Sequence, residues 1–173
     1  MLHPIATIKY NSSEWLHIFG GGGQLSFQGS RTTQFDITTF VTEAAREFHI
    51  GVQDFDSCGY SLVQLSRRLP ALEALVLSGA RLPSGLLSAL AKEPILCPSL
   101  KTIAFFDCKL TELVIKELEE VVTKRGASVA VRLYRVVILN NTRSLPDLKL
   151  IHQLRKFVPR VDVGVGDELP NLL

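Results

Sequence analysis

An α/β fold built by repetition, with helices along one side of an open parallel sheet, is predicted by three features of this sequence. Two eleven-residue segments, LEALVLSGARL from Leu72 and LKTIAFFDCKL from Leu100, superimpose at a period of 28. In each, apolar residues alternate as in a short strand: Leu75 and Leu77 in the first, Ile103 and Phe105 in the second. Each segment then places a small residue, Ala80 or Cys108, where the chain must turn a tight corner, and closes on Leu82 or Leu110. This is the L-x-x-L-x-L-x-x-N/C-x-L pattern of a leucine-rich repeat, at a period within that class. One such unit cannot bury its own apolar face, whereas stacked units bury a continuous core. The expected fold is therefore α/β, a short leucine-rich-repeat solenoid: an open curved parallel sheet with helices on the convex side.

The elements follow in chain order. EWLHIF and QLSFQ, ending at Phe19 and Gln28, alternate like short strands, and the glycines at 20–23 between them read as a turn or joint. No G-K-S/T and no helical pattern follows those glycines, so they do not form a phosphate cradle. Residues 1–35 are expected to be an irregular or strand-rich segment, and 36–173 the repeat domain. Residues 36–48 place Phe40, Ala44, Ala45 and Phe48 near one helical face. FHIGV, from Phe48, reads as a strand in template phase at a spacing of 27 from the Leu72 unit. Residues 58–69 carry a Leu62, Leu65 and Leu69 stripe that Pro70 ends, and Leu86, Leu87, Leu90 and Ala91 make another that Pro94 ends.

After Leu110, Thr111 is the expected N-cap of a long helix with Leu113, Val114, Glu117, Leu118, Val121 and Val122 on its inner side and Gly126 as its stop. Its acids come early and Lys124 and Arg125 late, as the helix dipole favours. Residues 129–141 form a strongly apolar strand with Leu133, Val136 and Ile138 in template register, now at a spacing of 33. A helix from Pro146 to Phe157 turns Leu148, Ile151, Leu154 and Phe157 inward, and RVDVGVG supplies a last short strand. The tail DELPNLL reads as a cap or loose end. The glycine-rich beginning is a poor cap, and an open sheet edge there is the expectation if the chain is a fragment without independent function.

Composition bounds the function classes. Hydrophobic residues make up 46% of 173 and charged residues 21%, as expected for one globular domain. No apolar run is long enough for a membrane span, and MLHPIATIKY lacks a basic region followed by an apolar core, so no signal peptide is expected. The three cysteines include no C-x-x-C pair and are odd in number, which suits free thiols in a reducing compartment, cytoplasmic or nuclear. The four histidines are scattered without ligand spacing, so no metal is expected, and no cofactor. No G-x-S-x-G, no H-E-x-x-H and no suggestive Cys and His pairing points to catalysis, so no catalytic residue is named and an enzyme is not expected. Between Lys124 and Arg160 stand nine basic residues and one acid, Asp147, a balance of +8 in a chain of net charge +2. Such an end suits an acidic partner or nucleic acid; solvated helix faces and strand termini are the preferred reading.

In a repeat of this kind, residues alternating with the inward ones line the concave face. The expected partner-binding set is Glu47, His49, Val76, Ser78, Ala104, Phe106, Asp107, Arg135, Val137 and Leu139. Val76, Ala104, Phe106, Val137 and Leu139 would make a contiguous apolar patch with Phe106 as its anchor and Arg135 and Asp107 at the rim. The alternative is that these strands are buried on both faces, as parallel strands often are.

LPALEALVLSG, CPSLKTIAFFDCKLTE, RLYRVVILN and VPRVDVGVGDELP, taken in order, resemble the C-terminal region of fungal F-box proteins with leucine-rich repeats. That resemblance implies target recognition for a cullin ubiquitin ligase, with the repeats holding a protein target. Residues 1–60 show no F-box, so the ligase adaptor would be a partner only if an F-box is supplied elsewhere.

Overall fold

The computed structural model describes residues 5–11, 15–20, 23–28, 46–51, 66–67, 69–78, 85–93, 95–108, 110–126, 133–140 and 148–165. Eight strands form one sheet: β1 Ile5–Asn11, β2 Trp15–Gly20, β3 Gly23–Gln28, β4 Glu47–Gly51, β5 Ala74–Ser78, β6 Thr102–Phe106, β7 Arg135–Asn140 and β8 Arg160–Val165. Three described helices intervene: α1 Leu86–Lys92 before β6, α2 Glu112–Gly126 before β7, and α3 Leu148–Phe157 before β8. The strand order is β3-β2-β1-β4-β5-β6-β7-β8. Five consecutive strands, β4 to β8, run parallel, and β1 lies parallel to β4. The fold is thus α/β with an open sheet.

The strand registers reproduce the sequence spacings. Phe48 pairs with Leu75, Leu75 with Ile103, Ile103 with Val136, and Val136 with Val161. These residues and their i+2 neighbours Leu77, Phe105 and Ile138 meet Leu86, Leu87 and Leu90 of α1, Leu118 and Val121 of α2, and Leu154 of α3 in one buried cluster. The helices therefore cover one face of the sheet, the face the alternation assigns to the core.

A second regularity lies in the backbone just before each strand. Glu73 and Ala74 both donate their N–H groups to the Arg46 carbonyl, at 2.7 and 2.9 Å. Lys101 and Thr102 do the same to Glu73, and Tyr134 and Arg135 to Lys101. At β8 the first of the pair is Pro159, which has no N–H, so Arg160 alone donates to Tyr134. At the other end of β6 the corner residue Cys108 is buried, and its thiol donates to the carbonyls of Leu77 at 3.2 Å and Phe106 at 3.4 Å. A thiol fits this slot because it is small, apolar in bulk and still a weak donor. The equivalent corner of the preceding unit, Ala80 and Leu82, lies outside the described residues.

Residues 1–35 contribute β1, β2 and β3 to the same sheet, and β1 was not anticipated from the sequence. Gly20 pairs with Gly23, so β2 and β3 are antiparallel neighbours that end at the glycine run. The β4 edge that a poor N-terminal cap would have left open is paired to β1.

Several expectations are corrected. Glu47 and Phe48, read both as the end of a helix and as the start of a strand, belong to β4, where pairing with β5 overrides a helical stripe; residues 36–45 lie outside the described ones. The helix expected over 58–69 is described only from Ser66, with Leu69 fully buried. The helix at 84–93 is observed as α1, entered from Gly85 at φ 85, a left-handed conformation natural to glycine. The strand expected over 129–141 is described as β7, with buried Leu133 ahead of it. α2 opens as predicted, the Val114 N–H facing the Thr111 hydroxyl at 3.4 Å. Its inner stripe is Val114, Ile115, Leu118, Val121 and Val122, while Leu113 is 66% exposed because its i+3 and i+7 positions are the polar Lys116 and Glu120. Leu148 is likewise exposed, in line with His152 and Arg155 on α3. Arg125, read as a solvated last-turn cation, is fully buried.

Candidate interaction surface

The register places the predicted partner-binding residues, all but Asp107, in three rows on the face turned away from the helices. Glu47, Ala74, Thr102, Arg135 and Arg160 form the first, and His49, Val76, Ala104, Val137 and Asp162 the second. Gly51, Ser78, Phe106, Leu139 and Gly164 form the third. The expected grouping is therefore realised in space, but the solvated apolar patch is not. Ala74, Val76, Ala104, Val137 and Leu139 form a second buried cluster, with half-buried Phe106 packed against it. Ala104 stands in register between Val76 and Val137, and solvent reaches neither it nor Val137. The central strands are buried on both faces, which their unbroken apolar runs permit and a one-sided sheet would not.

The perimeter of this face is polar and half-buried. On β4 the Glu47 carboxylate contacts His49 Nε2. At the other end Arg135 Nε donates to Asp162 Oδ2 at 2.6 Å, and Arg160 Nε donates to the same oxygen at 3.0 Å. Burial alone would push the Asp162 carboxyl up; the hydrogen bonds and positive charges of Arg160 and Arg135 outweigh it and hold the carboxyl below its ordinary range. Asp107 follows β6 with φ 53, a left-handed conformation that Asp tolerates better than most residues, and its N–H donates to the Leu139 carbonyl at 2.9 Å. Ser78 and Phe106, paired in the third row, are half-buried.

A different set of groups gathers at the edge from which the parallel strands begin. Glu73 binds Lys101 at 3.2 Å and Arg46 at 2.6 Å, and the Lys101 hydrogen bond, ahead of the two positive charges, holds its carboxyl below the ordinary value. Both cations are more than half exposed, so these pairs contribute little to stability. Arg125 reaches from the last turn of α2 to the loop ahead of β6, donating to the carbonyls of Leu96 at 3.0 Å and Cys97 at 2.6 Å. Sequence reading missed this contact, although Leu118, Val121, Val122 and Arg125 fall at i, i+3, i+4 and i+7 on the buried stripe.

Cys97 is buried in that loop, its thiol donating to the Ser66 carbonyl at 3.3 Å. Burial pushes the thiol up to about 11, with the Arg125 charge and the Ser66 contact opposing it only in part. A thiol pKa raised above its unfolded value near 9 contributes stability that is complete below pH 9 and lost as pH climbs toward 11. Over those two units the loss should approach about 3 kcal/mol. Denaturant titrations between pH 8 and 11 should show this fall in the wild type and a shallower one in Cys97→Ala; parallel curves would refute the assignment.

Among the described residues no group of three or more His, Cys, Asp or Glu is placed to hold a metal ion, and no helix is long and apolar enough to cross a membrane. No family model, curated protein or solved structure matches the chain.

Proposed function

We propose that this chain is a non-enzymatic protein-recognition module of the leucine-rich-repeat kind, working inside the cell, whose target meets the sheet face opposite the helices. The observation that carries the reading is the pairing of Phe48, Leu75, Ile103, Val136 and Val161 in successive strands. That register commits one face to the helices and leaves the other, among the described residues, without any helix on it. The buried centre, Val76, Ala104 and Val137, is then the floor of the surface, and a target engages its perimeter: Glu47, His49, Ser78, Phe106, Asp107 and Arg135. The resemblance to F-box receptors supports target recognition for a cullin ubiquitin ligase, with the ligase adaptor recruited by an F-box outside this chain.

The test is quantitative affinity capture from extract of the source cells with three purified proteins: wild type, Phe106→Asp, and Glu120→Arg on the exposed side of α2. Partners retained by wild type and Glu120→Arg and lost by Phe106→Asp, with circular dichroism unchanged, are the expected result. Equal capture by Phe106→Asp, or loss confined to Glu120→Arg, would overturn the reading. Presence of the cullin adaptor among the perimeter-dependent partners would support the ligase role, and its absence would leave a stand-alone recognition module.

A further inference from the structure

The strand-entry edge carries a second surface that does not depend on the face just described. Because the helices return antiparallel to the parallel strands, their last turns all arrive at this edge. The Arg125 bonds to the loop ahead of β6 hold the end of α2 there, and the Arg160 bond to Tyr134 holds the chain leaving α3 there. Those last turns carry Lys92 on α1, Lys124 on α2, and Arg155 and Lys156 on α3, all exposed. No ion pair to a described carboxylate engages any of the four. Two described acids near it are already occupied, Glu73 by Arg46 and Lys101 and Glu93 by Arg67.

The same edge carries an aromatic ring. Tyr134 is 56% exposed and takes the position in its strand that Lys101 takes in the one before it, with Arg160 bonded to its carbonyl from the strand after it. An edge that carries an exposed aromatic and, at its helix ends, exposed cations fits a chain that offers both phosphates and π-faces. A carboxylate-rich peptide would satisfy the lysines but gain nothing from the ring, whose face is negative. Every nucleobase stacks on it, and the phosphates reach the helix ends.

We propose that this edge binds single-stranded nucleic acid, with Tyr134 as the stacking residue and Lys92, Lys124, Arg155 and Lys156 as phosphate contacts. The sequence reading set nucleic acid aside for want of an aromatic interleaved with the basic residues, but Tyr134 stands between Arg132 and Arg135 in the sequence, and the fold brings it to the edge where Lys124, Arg155 and Lys156 end their helices.

Fluorescence anisotropy with a labelled oligothymidylate of about fifteen nucleotides tests this on the full chain. With four phosphate contacts, affinity should fall about 50-fold between about 50 and about 200 mM NaCl. Tyr134→Ala should weaken binding about tenfold while Tyr134→Phe keeps it. Lys124→Glu with Lys156→Glu should weaken it at least as much and flatten the salt dependence. These residues are exposed, so the variants should keep the wild-type circular dichroism. Undiminished binding by Tyr134→Ala, equal or tighter binding of a polyglutamate peptide, or no binding at the lower salt would each overturn the proposal. Failure of Phe106→Asp to alter protein capture would leave it standing.

Discussion

Arg125→Ala should lower the stability of the chain by about 3 kcal/mol or more, from the loss of two hydrogen bonds made by a charged donor. For a protein of this length that is a fall in melting temperature of about 6–12 °C. The guanidinium is fully buried and joins the end of α2 to two carbonyls of the α1–β6 loop, those of Leu96 and Cys97. Burial lowers its proton affinity, but guanidinium remains charged through the physiological range, so both bonds are charge-assisted. Truncation leaves the two carbonyls without this donor and opens a cavity where the side chain ran. It also releases Cys97, whose φ of 49 is left-handed and which the bond to its carbonyl helps to fix. Lys124→Ala, one residue earlier and exposed, should change stability by no more than about 0.5 kcal/mol. Arg125→Lys should fall between, because one ammonium group cannot reproduce the two-pronged reach. Thermal melts of the three variants check this, and a wild-type melt for Arg125→Ala would mean that the loop holds itself.

What the sequence showed best was whatever local periodicity encodes. The alternation of Leu75 with Leu77 and of Ile103 with Phe105 sufficed to set the strand registers, including the shift across the longer α2 unit. It failed where residue type stood in for position. Leu113 and Leu148 were turned inward because leucine usually is, though each is aligned with charged or polar neighbours one and two turns on. Arg125 was turned outward because arginine usually is, though it continues the stripe of Leu118 and Val121. Tyr134 was hidden differently: it sits within the apolar run over 129–141 and reads as strand interior, and only the hydrogen bonds shared with Lys101 and Arg160 reveal it as an edge position. Strand β1 was illegible, and the burial of Val76, Ala104 and Val137 was legible only as one of two alternatives, for a deeper reason. Both depend on which distant segments pack together, and no window of the sequence carries that information.

Phe105 and Phe106 put the two faces to a direct comparison. They are adjacent in β6, so their side chains leave the sheet in opposite directions. Phe105 is fully buried, in register between Leu77 and Ile138, within the cluster that the helices cover. Phe105→Ala removes a ring from the middle of that cluster and should cost about 3–5 kcal/mol, the transfer loss plus the cavity left behind. Phe106 is half-buried at the border of the smaller cluster, and Phe106→Ala leaves a site that water can fill. Its cost should be about 1 kcal/mol. Denaturant unfolding of both variants at one pH should therefore show a large midpoint shift for Phe105→Ala and a small one for Phe106→Ala. The same pair should separate in binding, with Phe106→Ala weakening protein capture out of proportion to its stability. Equal destabilisation would mean that the face opposite the helices is as much a core as the other, and that its residues are kept for packing rather than for a partner.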